Sequence, residues 1–112
     1  MNIVSEVIDY LFSTLGVPAY AEEQHSPPVQ YLIIEKTGGG QTNLINQTTI
    51  AIQSYSNSLY NASALNEDVK AAMADMIALD GISAVKLNSD YNWTDEETRR
   101  YRYQAVFDIT HR

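Results

Sequence analysis

The chain has 112 residues and no cysteine, and 14 acidic against seven basic side chains give it a formal charge of −7. That length predicts one domain with one modest core. The missing thiols exclude a disulfide framework, thiolate metal sites and a cysteine nucleophile. Tight nucleic-acid binding needs a basic footprint, and the basic cluster Arg99, Arg100 and Arg102 is offset by Asp95, Glu96 and Glu97 beside it. No apolar run is long enough to span a bilayer. Glu6 and Asp9 interrupt Met1–Leu15, so neither membrane insertion nor a secretory leader is expected.

Asn2 is placed to cap a first helix whose apolar stripe is Ile3, Val4, Val7, Ile8, Leu11, Phe12 and Leu15. Gly16 ends it and Pro18 prevents its continuation. Val17–Ala21 reads as a short edge strand, because it carries a proline, and Glu22–Pro28 as an exposed loop. In Val29–Lys36 the centre Tyr31-Leu32-Ile33-Ile34 has little polar interruption, as in a strand covered on both faces. Thr37-Gly38-Gly39-Gly40 with Gln41, Thr42 and Asn43 reads as a flexible tip between two strands. No Lys-Ser/Thr follows the glycines, so a phosphate-cradling loop is not expected.

Thr48–Tyr55 alternates with β-branched and aromatic residues and predicts a strand. Ser56-Asn57-Ser58 then turns the chain, and the period lengthens to that of a helix through Ala62, Leu65, Val69, Ala72, Met73, Met76, Ile77 and Leu79. Asp80-Gly81 is expected to close that helix with a left-handed glycine. Ile82–Asn88 is extended again, Ser89–Arg100 is a long polar connection, and Tyr101–Thr110 alternates as an antiparallel strand. The predicted order is α-β-β-β-α-β-β, an α+β domain with a mostly antiparallel sheet of about five strands and two helices packed on it.

Few residues point to chemistry. His25 and His111 lie far apart, lack metal-ligand spacing and are expected to be exposed. Glu67 and Lys70 are spaced for an i, i+3 pair on a solvated helix face. Asp90, Asp95, Glu96 and Glu97 lack the calcium-loop spacing, and a catalytic carboxylate pair needs a separation that sequence does not supply. The same stretch holds Tyr91, Trp93, Arg99 and Arg100. Aromatic and arginine residues on an exposed segment are the composition of an interface. With Tyr101 and Tyr103 they would form an aromatic patch that needs a partner to cover it.

In layout the chain resembles the tail-completion proteins of long-tailed bacteriophages, the tail terminators and head–tail joining proteins. The resemblance rests on Leu15–Tyr20 after the first helix, Glu35–Gly40 after the second strand, and Ile50–Tyr55 leading into an alanine-rich helix. It ends on the acidic loop with Tyr91 and Trp93 and on Arg102-Tyr103-Gln104. It implies a non-enzymatic structural protein of the virion, assembled in the host cytoplasm, that needs no cofactor. Such proteins form homo-oligomeric rings, six-fold in the best-known relatives, which cap the tail-tube protein and meet the head connector or stopper. Six copies would carry roughly −42, six times −7, so the genome would pass through the lumen without being gripped.

On this reading the contact residues are Thr37, Gly38, Gly39, Gly40, Gln41 and Asn43 in one stretch, and Asp90, Tyr91, Trp93, Arg99 and Arg100 in the other. Three alternatives remain open at the level of sequence. They are a connector adaptor on the portal side, a small α+β enzyme working at the acidic loop, and a monomeric binding domain.

Overall fold

In the computed structural model, which describes residues 2–112, the Asn2 side chain caps helix α1 (Ile3–Leu15) by accepting from the Ser5 N–H at 3.2 Å. At the other end Gly16 sits at φ 69° and its N–H bonds back to the Phe12 carbonyl. Only glycine takes that conformation without a Cβ penalty. Strand β1 (Ala19–Tyr20) follows, then β2 (Tyr31–Thr42), β3 (Ile45–Ser56), helix α2 (Leu59–Asp75), β4 (Ile82–Asn92) and β5 (Tyr101–His111). The expected α+β order holds throughout.

The sheet runs β1-β2-β3-β5-β4. β1 is parallel to β2 and every other neighbour is antiparallel. Both helices lie on one face. Leu32, Ile34, Ile50, Ile52, Phe107 and Ile109 of the sheet meet Val7 and Leu11 of α1 and Leu65, Val69 and Met73 of α2 in one core. Each fully buried aliphatic side chain there stabilises the fold by about 1.5–3 kcal/mol. A smaller cluster of Tyr31, Ile33 and Tyr55 sits on the opposite face, with Tyr20 against it. The centre of β2 is thus covered on both sides, as its unbroken apolar run predicts.

Several boundaries differ from expectation. The glycines of Thr37–Gly40 are not a flexible tip: β2 runs through them, with a bulge between Lys36 and Gly38. Ladder pairing to Thr48, Thr49 and Gln47 outweighs their weak intrinsic strand preference. The turn is only Asn43-Leu44, both at positive φ, 52° and 68°, as a two-residue hairpin turn requires.

β4 likewise continues to Asn92 instead of ending at Asn88, because Ser89, Asp90, Tyr91 and Asn92 pair with β5. Helix α2 begins at the Ser58 cap, whose hydroxyl accepts from the Asn61 N–H. It gives way after Asp75 to a 3-10 turn, Met76–Ala78. Gly81, at φ 88°, therefore does not cap the α-helix. It sits in the turn closed by the Ile82 N–H on the Leu79 carbonyl.

Candidate functional site

The two stretches expected to make contacts run from mid-sheet toward opposite ends. β3 pairs with β5 from Asn46 beside His111 to Ser56 beside Tyr101. The Asn43-Leu44 turn therefore stands at one end and the β4–β5 turn at the other, in a molecule 45 Å long and 25 by 24 Å across. Of the first stretch, Thr37 and Gly38 lie at mid-strand beside Thr49, and Gly39, Gly40, Gln41 and Asn43 run on to the first end. Of the second, Asp90 and Tyr91 pair with Ala105 and Gln104 inside the sheet, and Trp93, Arg99 and Arg100 stand at the other end.

At the second end the side chains fall on both faces of the sheet. On the face without helices, one cross-strand row runs Tyr31, Tyr55, Arg102, with Trp93 beside it. The Arg102 guanidinium lies 4.1 Å from the Trp93 ring centroid, donates through Nε to the Trp93 carbonyl at 2.7 Å and through an NH group to the Tyr55 hydroxyl at 2.8 Å. Arg100 stands 4.9 Å over the Tyr55 ring, donates to the Tyr31 hydroxyl, and forms a 2.7 Å ion pair with Glu23.

These contacts set the protonation of the cluster. Partial burial opposes ionisation of Glu23, but hydrogen bonds from Arg100 and Tyr31 together outweigh it and hold the carboxyl below its ordinary range. Burial, then the hydrogen bond to Glu23, raises the Tyr31 phenol. The Glu23 hydrogen bond raises Arg100. The next row joins Gln53 to Gln104 at 3.1 Å, with Glu35 accepting from Gln53 and Tyr91 bonded to Gln104.

Asp90 points to the helix face instead, where it accepts from Asn66 at 3.4 Å and pairs with Lys70 at 3.2 Å. Lys70 also makes the predicted i, i+3 pair with Glu67, at 2.9 Å, and these carboxylates, Glu67 first, raise its pKa. Tyr101 and Tyr103 share the helix side with Ala105 and Phe107, so the sheet separates them from Tyr91 and Trp93. The four aromatics do not form the single patch expected of them.

The connection beyond Asn92 is a folded turn. The Asn92 carbonyl oxygen of the side chain accepts from the Thr94 N–H and hydroxyl at 3.0 and 2.7 Å. Asp95 and Arg100 exchange backbone hydrogen bonds, and Arg99 takes φ 55° to close the loop. Hydrogen bonding from Thr98, above all, lowers the Asp95 carboxyl. With Asp95 committed to the turn and Asp90 to α2, the four acids do not converge. Among the described residues, no group of three or more histidine, aspartate and glutamate side chains is placed to hold a metal ion.

His111 departs from expectation. It is 4% exposed, because it continues the inward face of β5 begun by Phe107 and Ile109. Its Nδ1 lies 3.0 Å from the Arg112 carbonyl, which only accepts, so Nδ1 carries a proton, and in the neutral ring Nε2 accepts from the Thr48 hydroxyl at 2.9 Å. His25 is exposed, as expected.

At the first end an open trough of about 550 Å³ crosses the helix-free face, lined among others by Gly39, Gly40, Thr49, Lys86 and Asp108. Asp108 there accepts from Thr49 at 2.9 Å and from Asn88 at 3.1 Å, so its carboxylate is tied into the sheet. The residue missed in this region is Leu44, 82% exposed on the turn at φ 68°. An asparagine starting a two-residue break between alternating runs is a hairpin signal that would have located it.

Charge is divided unevenly between the layers. The helices carry Glu6, Asp9, Glu67, Asp68 and Asp75 against Lys70 alone. The helix-free side mixes Glu23, Glu35 and Asp108 with Lys86, Arg100 and Arg102. Comparison with known proteins finds no family model that matches this chain and no match among curated proteins.

Proposed function

We propose that the protein is a structural tail-completion component of a long-tailed bacteriophage or prophage. Copies of it form a ring, six-fold by analogy with the family it resembles, that caps the tail-tube protein and meets the head connector. The observation that carries this reading is that the two stretches expected to make contacts run out to opposite ends of one 45 Å subunit. A joining ring has to grip one layer below and another above, and a subunit with contact elements at both ends is suited to that. Many weak contacts repeated around an axis multiply into a stable cap.

Other features support the same reading. Leu44 is an exposed apolar side chain held out at the tip of the β2–β3 turn, where a neighbouring layer can reach it. Neither layer has an excess of basic side chains that would grip a passing genome.

The test is to add the purified protein to polymerising tail-tube protein and measure tube length by electron microscopy. A terminator shortens the tubes and appears as a ring at one end. A protein that leaves tube length unchanged and binds filled heads instead belongs on the portal side. One that binds neither is not a tail-completion protein.

A further inference from the structure

The two outer edges of the sheet are unpaired along most of their length, and their hydrogen-bonding phases match. β1 pairs only with Leu32 and Ile33, so among the described residues no strand lies beside the outer edge of β2 from Glu35 to Thr42. β4 is the other outer strand. In an antiparallel ladder the backbone groups of successive residues point alternately to one neighbour and the other. The Leu32 N–H donates to Pro18, away from β3, and Thr42 pairs with Ile45 across the turn. With one phase change at the bulge, Lys36, Gly39 and Gln41 present their N–H and C=O groups outward.

On the far side, Trp93 N–H donates to the Arg102 carbonyl and Arg112 N–H to that of Gly81. The even-numbered residues of β5 therefore face β4, and with the bulge between Leu87 and Ser89 the outward residues of β4 include Val85, Leu87, Asp90 and Asn92.

We infer that β4 of one copy pairs antiparallel with the outer edge of β2 of the next, continuing the sheet from subunit to subunit. This rests on the self-assembly reading above. β2, β3, β5 and β4 are four antiparallel strands, an even number. A neighbour carried sideways without inversion therefore presents β2 antiparallel to β4, with its helices on the same side. An odd number would place parallel strands together.

One straight register then sets Val85 opposite Gln41, Leu87 opposite Gly39 and Asp90 opposite Lys36, with the two bulges facing each other. All three pairs lie on the helix side. Lys36 has no carboxylate partner within its own chain among the described residues, and it comes opposite Asp90, whose carboxylate would be shared with Lys70. The exposed Leu87 side chain comes beside Gly39, over which the apolar stem of Lys36 is folded, so the two side chains meet there. Such pairing is heterologous, as a closed ring requires, and it covers both exposed edges at once.

The same register places Gly40 opposite Lys86 as a non-hydrogen-bonded pair, with Cα atoms about 4.5 Å apart, within the span of a disulfide. A Cβ at Gly40 meets nothing within 4 Å, and the chain has no cysteine of its own. The test uses the full chain carrying Gly40→Cys and Lys86→Cys, alone and together, each matched to the parent by circular dichroism. Assembly is followed by light scattering and cross-linking on non-reducing gels after oxidation.

The double variant is expected to give a ladder of dimer, trimer and higher species that neither single variant gives. Dimers from Lys86→Cys alone would mean that two β4 edges meet about a two-fold axis, and would overturn the inference. Multimers in solution without a ladder would overturn it too, while leaving self-assembly standing. A protein monomeric at every concentration would remove both this pairing and the ring, independently of the tube-length result.

Discussion

Tyr31 stacks on Tyr55 with ring centroids 4.6 Å apart and planes 4° from parallel. The stack joins β2 to β3 on the face that no helix covers, and it is the floor on which Arg100 and Arg102 rest. Through Arg100 it holds Glu23, and through Arg102 it holds Trp93. Two chain segments far apart in sequence are thus fastened over one pair of rings. Tyr55→Ala is expected to destabilise the fold by about 3–5 kcal/mol, the range for deleting a buried aromatic ring. Tyr55→Phe, which removes only the acceptor for Arg102, should lose about 1 kcal/mol. Urea denaturation of both variants checks the ratio.

Glu23 gives the stack a pH dependence. Its folded-state pKa lies below the ordinary value, so its contribution is present above the ordinary carboxyl pKa and is lost as pH falls through the depressed folded one. Glu23→Gln should melt below the parent at neutral pH, with the gap closing as the medium is acidified below about pH 4. The carboxylate is partly exposed, so the gap should be small and shrink further in salt. Thermal melts between neutral pH and acid, with and without salt, measure it.

Thr48 and His111 form a second buried contact, on the other side of the sheet. Thr48→Val keeps the shape but leaves the histidine Nε2 without its donor. The expected loss is about 1–3 kcal/mol, the cost of stranding a buried acceptor. His111→Ala should cost less in the Thr48→Val background than in the parent, because the two residues share one interaction. A double-mutant cycle by chemical denaturation is the measurement.

Local chemistry was readable from the sequence wherever the cause was itself local. Asn2, Gly16 and Ser58 terminate helices through contacts no more than four residues away, and the apolar periods of α1, α2 and β5 point at the core they enter, except for Phe12 and Ile77, which lie at the margins of their stripes and stay exposed. Strand ends were less legible. Gly38–Thr42 and Ser89–Asn92 have poor strand composition and are extended because a neighbouring strand pairs with them. His111 carried a usable signal, the parity it shares with Phe107 and Ile109, hidden by its place near the end of the chain.

The cluster around Tyr55 was not readable at all. Glu23 and Arg100 are 77 positions apart, and nothing local to either predicts the other. Asp90 and Tyr91, adjacent in one contact stretch, are sent to opposite faces by the strand they occupy, whereas a loop reading keeps them together.

Substitution at the Asn43-Leu44 turn can separate stability from the proposed assembly. Leu44 is mostly exposed at φ 68°, so its side chain gains little from the fold while its backbone pays about 1–2 kcal/mol for a left-handed conformation. Leu44→Gly relieves that strain and matches the preferred two-residue hairpin sequence, so it is expected to raise stability by up to about 1 kcal/mol, offset in part by the greater freedom of glycine when unfolded. If the leucine is kept for contact with the next layer of the tail, the stabilised variant should bind tail-tube protein more weakly and limit tube length less. Leu44→Met, which keeps an apolar side chain on the turn, should restore most of that binding without the gain in stability. Melting temperature and tube length measured on the same preparations decide it. A Leu44→Gly variant that is more stable and limits tubes as well as the parent would mean that the exposed leucine takes no part in docking.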